Sequence, residues 1–212
     1  IQTIAFLIFH KNFYYHQSRY KYMQKVLLIV YFAVHIMNKK ILITGGPGTG
    51  KTELIKGLEK QGFNCEKEIS REITENEQKK GVEQFFLKDP IEFSKRLMVL
   101  RSNQYKKIQN EEYTFFDRGV HEIIAYLNFI KIKYDDFFIE RAKEIVYDKI
   151  FILPPWKEIY VNDSQRYESF EQCKQIHSEI VKIYKDFEIE IITLEKDSVK
   201  QRINSILKLL KE

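Results

Sequence analysis

The chain has 212 residues, with 35 Lys+Arg against 30 Asp+Glu, 44% apolar and 31% charged. That composition describes an ordinary globular domain, and 8 glycines, 4 prolines and 14% aromatics exclude collagen-like and wholly disordered classes. The net charge of +5 invites a polyanion partner, but its distribution excludes a basic body: Lys11, Arg19, Lys21 and Lys25 lie in an acid-free leader, and residues 37–212 hold 31 cations against 30 acids.

Residues 1–36 are rich in aromatics, and their longest apolar run, residues 26–34, has nine members. A bilayer span needs about 18–20, so no stable membrane insertion is expected. No small-x-small cleavage site follows. The expected reading is upstream sequence ahead of a start at Met37, with a surface anchor or a signal peptide as alternatives. Cys65 and Cys173 have no partner at metal-ligand spacing, so a reduced, cytoplasmic setting is expected.

From Met37 the pattern is regular. Lys40–Thr44 reads as a buried strand, followed by a Gly-rich turn and a helix over 52–60 that Gly62 stops. Phe63–Lys67 reads as a weak strand and 69–79 as a helix. Asp89-Pro90 opens a long helix with Phe93, Leu97, Met98, Tyr105 and Ile108 as its apolar stripe. Tyr113–Asp117 is a third strand, 120–130 a buried helix, 135–146 another helix and Lys149–Leu153 a fourth strand, which Pro154-Pro155 breaks. A polar loop runs to about Tyr167. A helix with Phe170, Cys173, Ile176, Ile180, Tyr184 and Phe187 on one face comes next, then a strand at Glu190–Thr193. Val199, Ile203, Ile206, Leu207 and Leu210 mark the last helix. Strands alternating with helices predict one α/β domain over 37–212, a parallel sheet covered on both faces.

Gly45-Gly46-Pro47-Gly48-Thr49-Gly50-Lys51-Thr52 matches G-x-x-x-x-G-K-[ST] between a predicted strand and a predicted helix. Glycines let the backbone N–H groups approach a polyphosphate, and the helix start adds orphan donors and a positive dipole end. Lys51 can reach the β- and γ-phosphates, and the Thr52 hydroxyl can ligate Mg²⁺. The third strand ends in Asp117, a second candidate Mg²⁺ ligand. Hydrolytic motors usually place Glu beside that Asp; here Arg118 follows, which favours transfer to a bound acceptor over a mechanical ATPase. No Asn-Lys-x-Asp or Thr-Lys-x-Asp element follows to read guanine, so ATP is the expected nucleotide, with GTP open.

Four segments stand here in one order: the Gly-rich loop, Glu68-Ile69-Ser70-Arg71-Glu72, Asp117 to Tyr126, and Leu153 to Arg166. Together they resemble a family of small P-loop AAA-type ATPases grouped with the nicotinamide-riboside kinase domain of NadR and with the nucleotide-binding domain of some eukaryotic trafficking proteins. The resemblance covers about residues 38–211. It implies a three-layer P-loop fold: a five-stranded parallel sheet in the order 2-3-1-4-5, helices on both faces, a short lid, and a site above the carboxyl ends of the strands.

On that resemblance Glu68 is the carboxylate that takes a proton from an acceptor hydroxyl, and Arg166 is a lid arginine closing on the phosphates. Arg71, Glu122 and Asp163 are implied substrate contacts. Trp156 and Tyr160 either line an acceptor pocket or pack the lid hinge. The family often has Pro where this chain has His121 and Asp where it has Glu122. The implied activity is a Mg²⁺-dependent kinase passing the γ-phosphoryl of ATP to a small nucleoside- or riboside-like acceptor. A nucleotide-dependent switch or slow NTPase acting on a protein or lipid partner is the alternative. Nucleic-acid binding is not expected of a near-neutral body.

Overall fold

The computed structural model describes residues 22–28, 38–107, 111–161 and 168–211. The chain divides into two units, Ile1–Asn38 with Ile108–Asn110, and Lys39–Lys107 with Glu111–Glu212. In the first unit, residues 22–28 form a short helix (α1) with exposed side chains. Asp163, Arg166 and Ile108 lie outside the described residues.

The second unit is a sheet of five parallel strands. They are β1 (Lys39–Thr44), β2 (Asn64–Glu66), β3 (Tyr113–Asp117), β4 (Lys149–Ile152) and β5 (Ile192–Thr193), in spatial order β2-β3-β1-β4-β5. The helices are α2 (Lys51–Lys60), α3 (Ser70–Gln78), α4 (Phe85–Lys88), α5 (Pro90–Lys106), α6 (His121–Phe129), α7 (Phe137–Lys143), α8 (Phe170–Asp186) and α9 (Val199–Leu209). This is the expected P-loop topology. Two short elements escape the sequence pattern, α4 and a 3₁₀ turn at Lys157–Ile159. Four residues show no 3.6-residue period; α4 forms because Phe85 buries against Phe93, with ring centroids 5.8 Å apart.

The strands alternate between two cores, as a pleated strand must. Ile41, Ile43, Phe115 and Phe151 point to the face covered by α2 and α9, where Leu54, Leu58, Ile203 and Ile206 meet them. Leu42, Phe116, Ile150 and Ile152 point to the other face, under α5, α6, α7 and α8. Each such side chain contributes about 1.5–3 kcal/mol relative to exposure. Helix starts carry their own signals: Asp89 accepts from Glu92 N ahead of Pro90, and Ser169 with Gln172 forms a capping box. Among the described residues no helix is long and apolar enough to cross a membrane. Cys173 is buried and Cys65 half-buried, and neither forms a disulfide among the described residues.

His121 opens α6 with no exposed surface, packed on Tyr184 and edge-on to Phe187, and neither ring nitrogen has a partner. Burial lowers its pKa from 6.5 to about 4. A folded-state pKa below the unfolded one means that the unfolded chain binds the extra proton. Stability from this group is therefore full above pH 6.5 and drains away as pH falls toward 4, on the order of 3 kcal/mol in all. His121→Phe should flatten urea-midpoint stability against pH in that window; an unchanged slope would show that this imidazole is not buried neutral.

Candidate functional site

Strand register builds the site. Ile43 pairs with Asp117, so the carboxylate at the end of β3 comes level with the penultimate residue of β1, just before Gly45. Glu66 pairs with Phe116, so Glu68, two residues further, emerges beside Arg118. Three chain segments distant in sequence thus deliver Lys51, Asp117, Arg118 and Glu68 to one edge of the sheet, outside the strands' carboxyl ends.

The loop from Gly45 to Thr52 is tightly held. Gly45 has φ +140°, and a Cβ there would lie 2.5 Å from the Leu153 carbonyl oxygen. Gly48 has φ +74°, and its Cβ would lie 2.5 Å from the Tyr160 ring. Neither position admits a larger residue without displacement. The Thr49 hydroxyl donates to Gly46 O at 3.0 Å. Lys51 Nζ donates to Gly45 O at 2.7 Å and to Gly46 O at 2.6 Å, so the ammonium is drawn back along the loop. Burial, then the charge of Arg118, lower Lys51 to about 7, while Asp117 and Glu122 oppose the shift. An incoming polyphosphate supplies the counter-charge this ammonium lacks.

Asp117 is 9% exposed, and its Oδ1 is buried with no hydrogen-bond partner. Burial and the charge of Glu68 raise it to about 6, against Lys51 and Arg118. Thr52, at the first turn of α2, is exposed. An orphan carboxylate oxygen and a free hydroxyl fit Mg²⁺, which takes few protein ligands and completes its shell with phosphate oxygens and water. Among the described residues no group of three or more His, Cys, Asp or Glu could hold a metal by itself.

Arg118 is the hub of a buried ionic cluster. Its Nε lies 2.5 Å from Glu68 Oε2, and its Nη1 donates to Glu122 Oε2 at 3.1 Å. Its φ is +75°, a left-handed conformation that bulky residues seldom adopt. The turn is fixed by Arg118 N donating to Ile43 O at 3.1 Å and by Gly119 N donating to Glu122 Oε1 at 2.9 Å. Such strain persists only where the surroundings over-determine it, and the cluster does so here. Burial acts to raise Glu68, but Arg101 and Arg118 outweigh it and hold the carboxyl at about 2. Glu68 is thus a firmly ionised anchor.

The structure places the sequence candidates unequally. Gly45, Gly46, Pro47, Gly48, Thr49, Gly50, Lys51 and Thr52 form the loop, with Asp117, Arg118, Glu68 and Glu122 beside it. Glu122 is 1% exposed and engaged with Arg118 and Gly119 N, so it supports Arg118 and has no open face for a substrate. Arg71 is exposed on α3 and makes no hydrogen bond or ion pair with the cluster among the described residues. Asp163 and Arg166 are outside the described residues.

Sequence reasoning missed Arg101 and Arg202. Arg101 Nη2 donates to Glu68 Oε1 and Nη1 to Gly119 O, both at 2.7 Å. A signal existed: Arg101 stands three residues after Met98 and four after Leu97, inside the apolar stripe of α5, where a charge needs a buried partner. Arg202 likewise interrupts the stripe of α9, between Val199 and Ile206, and its Nη1 donates to Thr49 O at 3.2 Å.

With this geometry established, comparison with known proteins is specific at the family level. Residues 40–202 match the AAA domain family AAA_28, and the chain belongs to that family of P-loop domains. No curated protein matches the sequence. Among solved structures, deoxyadenosine kinase from M. mycoides with products bound is similar at TM-score 0.61 and 19% identity, covering 81% of this chain and 98% of its own. NadR in complex with NR is similar at TM-score 0.62 and 18% identity, covering 76% of this chain but 47% of NadR. Thymidylate kinase from Candida albicans is similar at TM-score 0.58 and 18% identity, covering 82% and 92%. These likenesses define a nucleoside- and nucleotide-kinase-like P-loop fold.

Arg101 and Glu68 form a buried pair, with side chains 5% and 14% exposed. Arg101→Met, which leaves Glu68 short of one counter-charge, should cost about 3–5 kcal/mol in urea denaturation. Arg101→Met combined with Glu68→Met should recover part of that loss. Additive losses in the double variant would contradict the coupling.

Proposed function

We propose that this protein is a Mg²⁺-dependent small-molecule kinase that moves the γ-phosphoryl group of ATP to a hydroxyl of a nucleoside- or riboside-like acceptor. The observation that carries this reading is the Glu68–Arg118–Glu122–Arg101 cluster beside Lys51 and Asp117. A carboxylate and a guanidinium are fixed where an acceptor and the phosphoryl group would meet, and Arg118, not a water-activating Glu, follows Asp117. The kinase-like neighbours support the same chemistry by fold.

In this reading the loop N–H groups and Lys51 bind the β- and γ-phosphates. Thr52 and Asp117 would hold Mg²⁺, which shields phosphate charge when bound. Phosphoryl transfer has a loose transition state, so the protein's work is positioning and charge stabilisation more than strong base catalysis. Glu68, ionised and anchored, accepts a hydrogen bond from the acceptor hydroxyl, aims its oxygen at phosphorus, and takes the proton only late, once the forming O–P bond has made that hydroxyl strongly acidic. Arg118 stabilises charge on the equatorial oxygens. Glu122 and Arg101 position Arg118 and Glu68. Arg71, Asp163 and Arg166 are proposed acceptor and lid contacts, as the family resemblance implies.

Two variants separate binding from transfer. Lys51→Ala should abolish ATP binding by calorimetry. Glu68→Gln should keep ATP affinity within a few-fold while acceptor-dependent ADP formation falls about 10²–10⁴-fold. ATP consumption indifferent to every nucleoside and small alcohol, and unchanged in Glu68→Gln, would overturn the kinase reading.

A further inference from the structure

The carbonyls of the phosphate loop are held by donors from two sources. The first is the loop's own side chains: Lys51 Nζ donates to Gly45 O and Gly46 O, and the Thr49 hydroxyl also donates to Gly46 O. The second is two helices that begin far along the chain. Cys173 Sγ, near the start of α8, donates to Pro47 O at 2.9 Å. Arg202 Nη1, in the first turn of α9, donates to Thr49 O at 3.2 Å. Both helices abut the loop. A Cβ on Gly46 would lie 2.8 Å from Cys173 O, and one on Gly50 would lie 3.3 Å from Arg202 Nη1. Arg202 is itself fixed by Glu195 O, which accepts from its Nε at 3.0 Å, and by the Trp156 ring, whose centroid lies 4.9 Å from its Cζ.

These two bonds fix more than the carbonyls they touch. In a trans peptide the C=O and the next residue's N–H point in opposite directions. The described residues contain no cis bond. With Pro47 O turned to α8, Gly48 N–H turns away from α8. With Thr49 O turned to α9, Gly50 N–H turns away from α9. Gly48 and Gly50 have φ of +74° and +91°, left-handed conformations of the kind that lets successive N–H groups converge on an anion. Pro47 and Thr49 are buried, whereas Gly48 and Gly50 reach the surface. Among the described residues, neither glycine N–H donates to a protein group. We infer that Cys173 and Arg202 are positioning residues that shape the phosphate nest from behind, aiming the Gly48 and Gly50 N–H groups at the polyphosphate. This role rests on the nucleotide reading of the P-loop. Arg202 also brings charge. It is 3% exposed, its Nη2 is buried without a hydrogen-bond partner, and it forms no ion pair among the described residues. A buried guanidinium without a close counter-ion is costly in the free protein, and a polyphosphate across the loop offsets that cost.

The consequence concerns phosphate rather than base, so the probes are inorganic tripolyphosphate and ATP, titrated into the full chain by calorimetry. Cys173→Ala should weaken tripolyphosphate about two- to tenfold, and Cys173→Ser, which keeps a donor, should recover most of the loss. Arg202→Met should weaken it about tenfold or more, and Arg202→Lys, which keeps the charge but not the fork, should recover only part. ATP should follow tripolyphosphate by the same factors in every variant. In ¹⁵N NMR spectra of the unsubstituted chain, tripolyphosphate should move the Gly48 and Gly50 amide protons downfield and leave those of Gly62 and Gly81 in place. Unmoved Gly48 and Gly50 signals, unchanged affinity in both Cys173→Ala and Arg202→Met, or Cys173→Ser as weak as Cys173→Ala would each overturn the inference while leaving the P-loop reading intact. Should the substituted chains fail to fold, the glycine amides decide alone. If the unsubstituted chain binds neither tripolyphosphate nor ATP, both readings fail together.

Discussion

The site depends on compensating buried charge. Lys51, Arg101 and Arg118 stand against Glu68, Asp117 and Glu122, all at or below about 15% exposure by residue or side chain. Isolated, any one of these ions would cost several kcal/mol to remove from water. Together they are tolerable because Glu68 and Glu122 pair with Arg101 and Arg118, because Lys51 and Asp117 favour each other's charge at longer range, and because Gly45, Gly46 and Gly119 carbonyls take further donors. The arrangement is formally neutral. A triphosphate would upset that balance, which full protonation of Lys51 and a Mg²⁺ held at the orphan oxygen of Asp117 would restore.

The same constraint explains a conformation that would otherwise be unfavourable. Arg118 sits in the left-handed region with a long side chain. From there its guanidinium reaches both Glu68, beyond the end of β2, and Glu122, in the first turn of α6. The parallel register of β1 with β2's neighbour β3 sets Asp117 and Arg118 at the loop, and Arg101 pins Glu68 to Gly119 from the opposite helix. Removing one member leaves an unpaired charge in the interior, so the cluster is at once structural and chemical.

Much of the fold was legible in the sequence because strand periodicity and loop chemistry agree. Five apolar runs separated by helical stripes, with a G-x-x-x-x-G-K-T after the first, define a P-loop sheet, and the family resemblance supplied its order. Ends of elements were less legible. The strand anticipated at Glu190–Thr193 reduces to Ile192–Thr193, because only those residues find partners on β4. Within the site, Lys51, Thr52, Asp117 and Arg118 were visible because local motifs carry them. Arg101 and Arg202 were not, since their partners lie 33 and 153 residues away, though both interrupt an apolar stripe. Glu122 carried a motif signal but not its direction: its carboxylate turns inward to Arg118.

The proposed reaction differs from hydrolysis in where the γ-phosphoryl group goes. Following ³¹P NMR of the full chain with ATP, Mg²⁺ and a panel of nucleosides and ribosides tests this most directly. The account predicts a new phosphomonoester resonance growing in step with ADP, only when a suitable acceptor is present. Inorganic phosphate released at the same rate with and without every acceptor would contradict it.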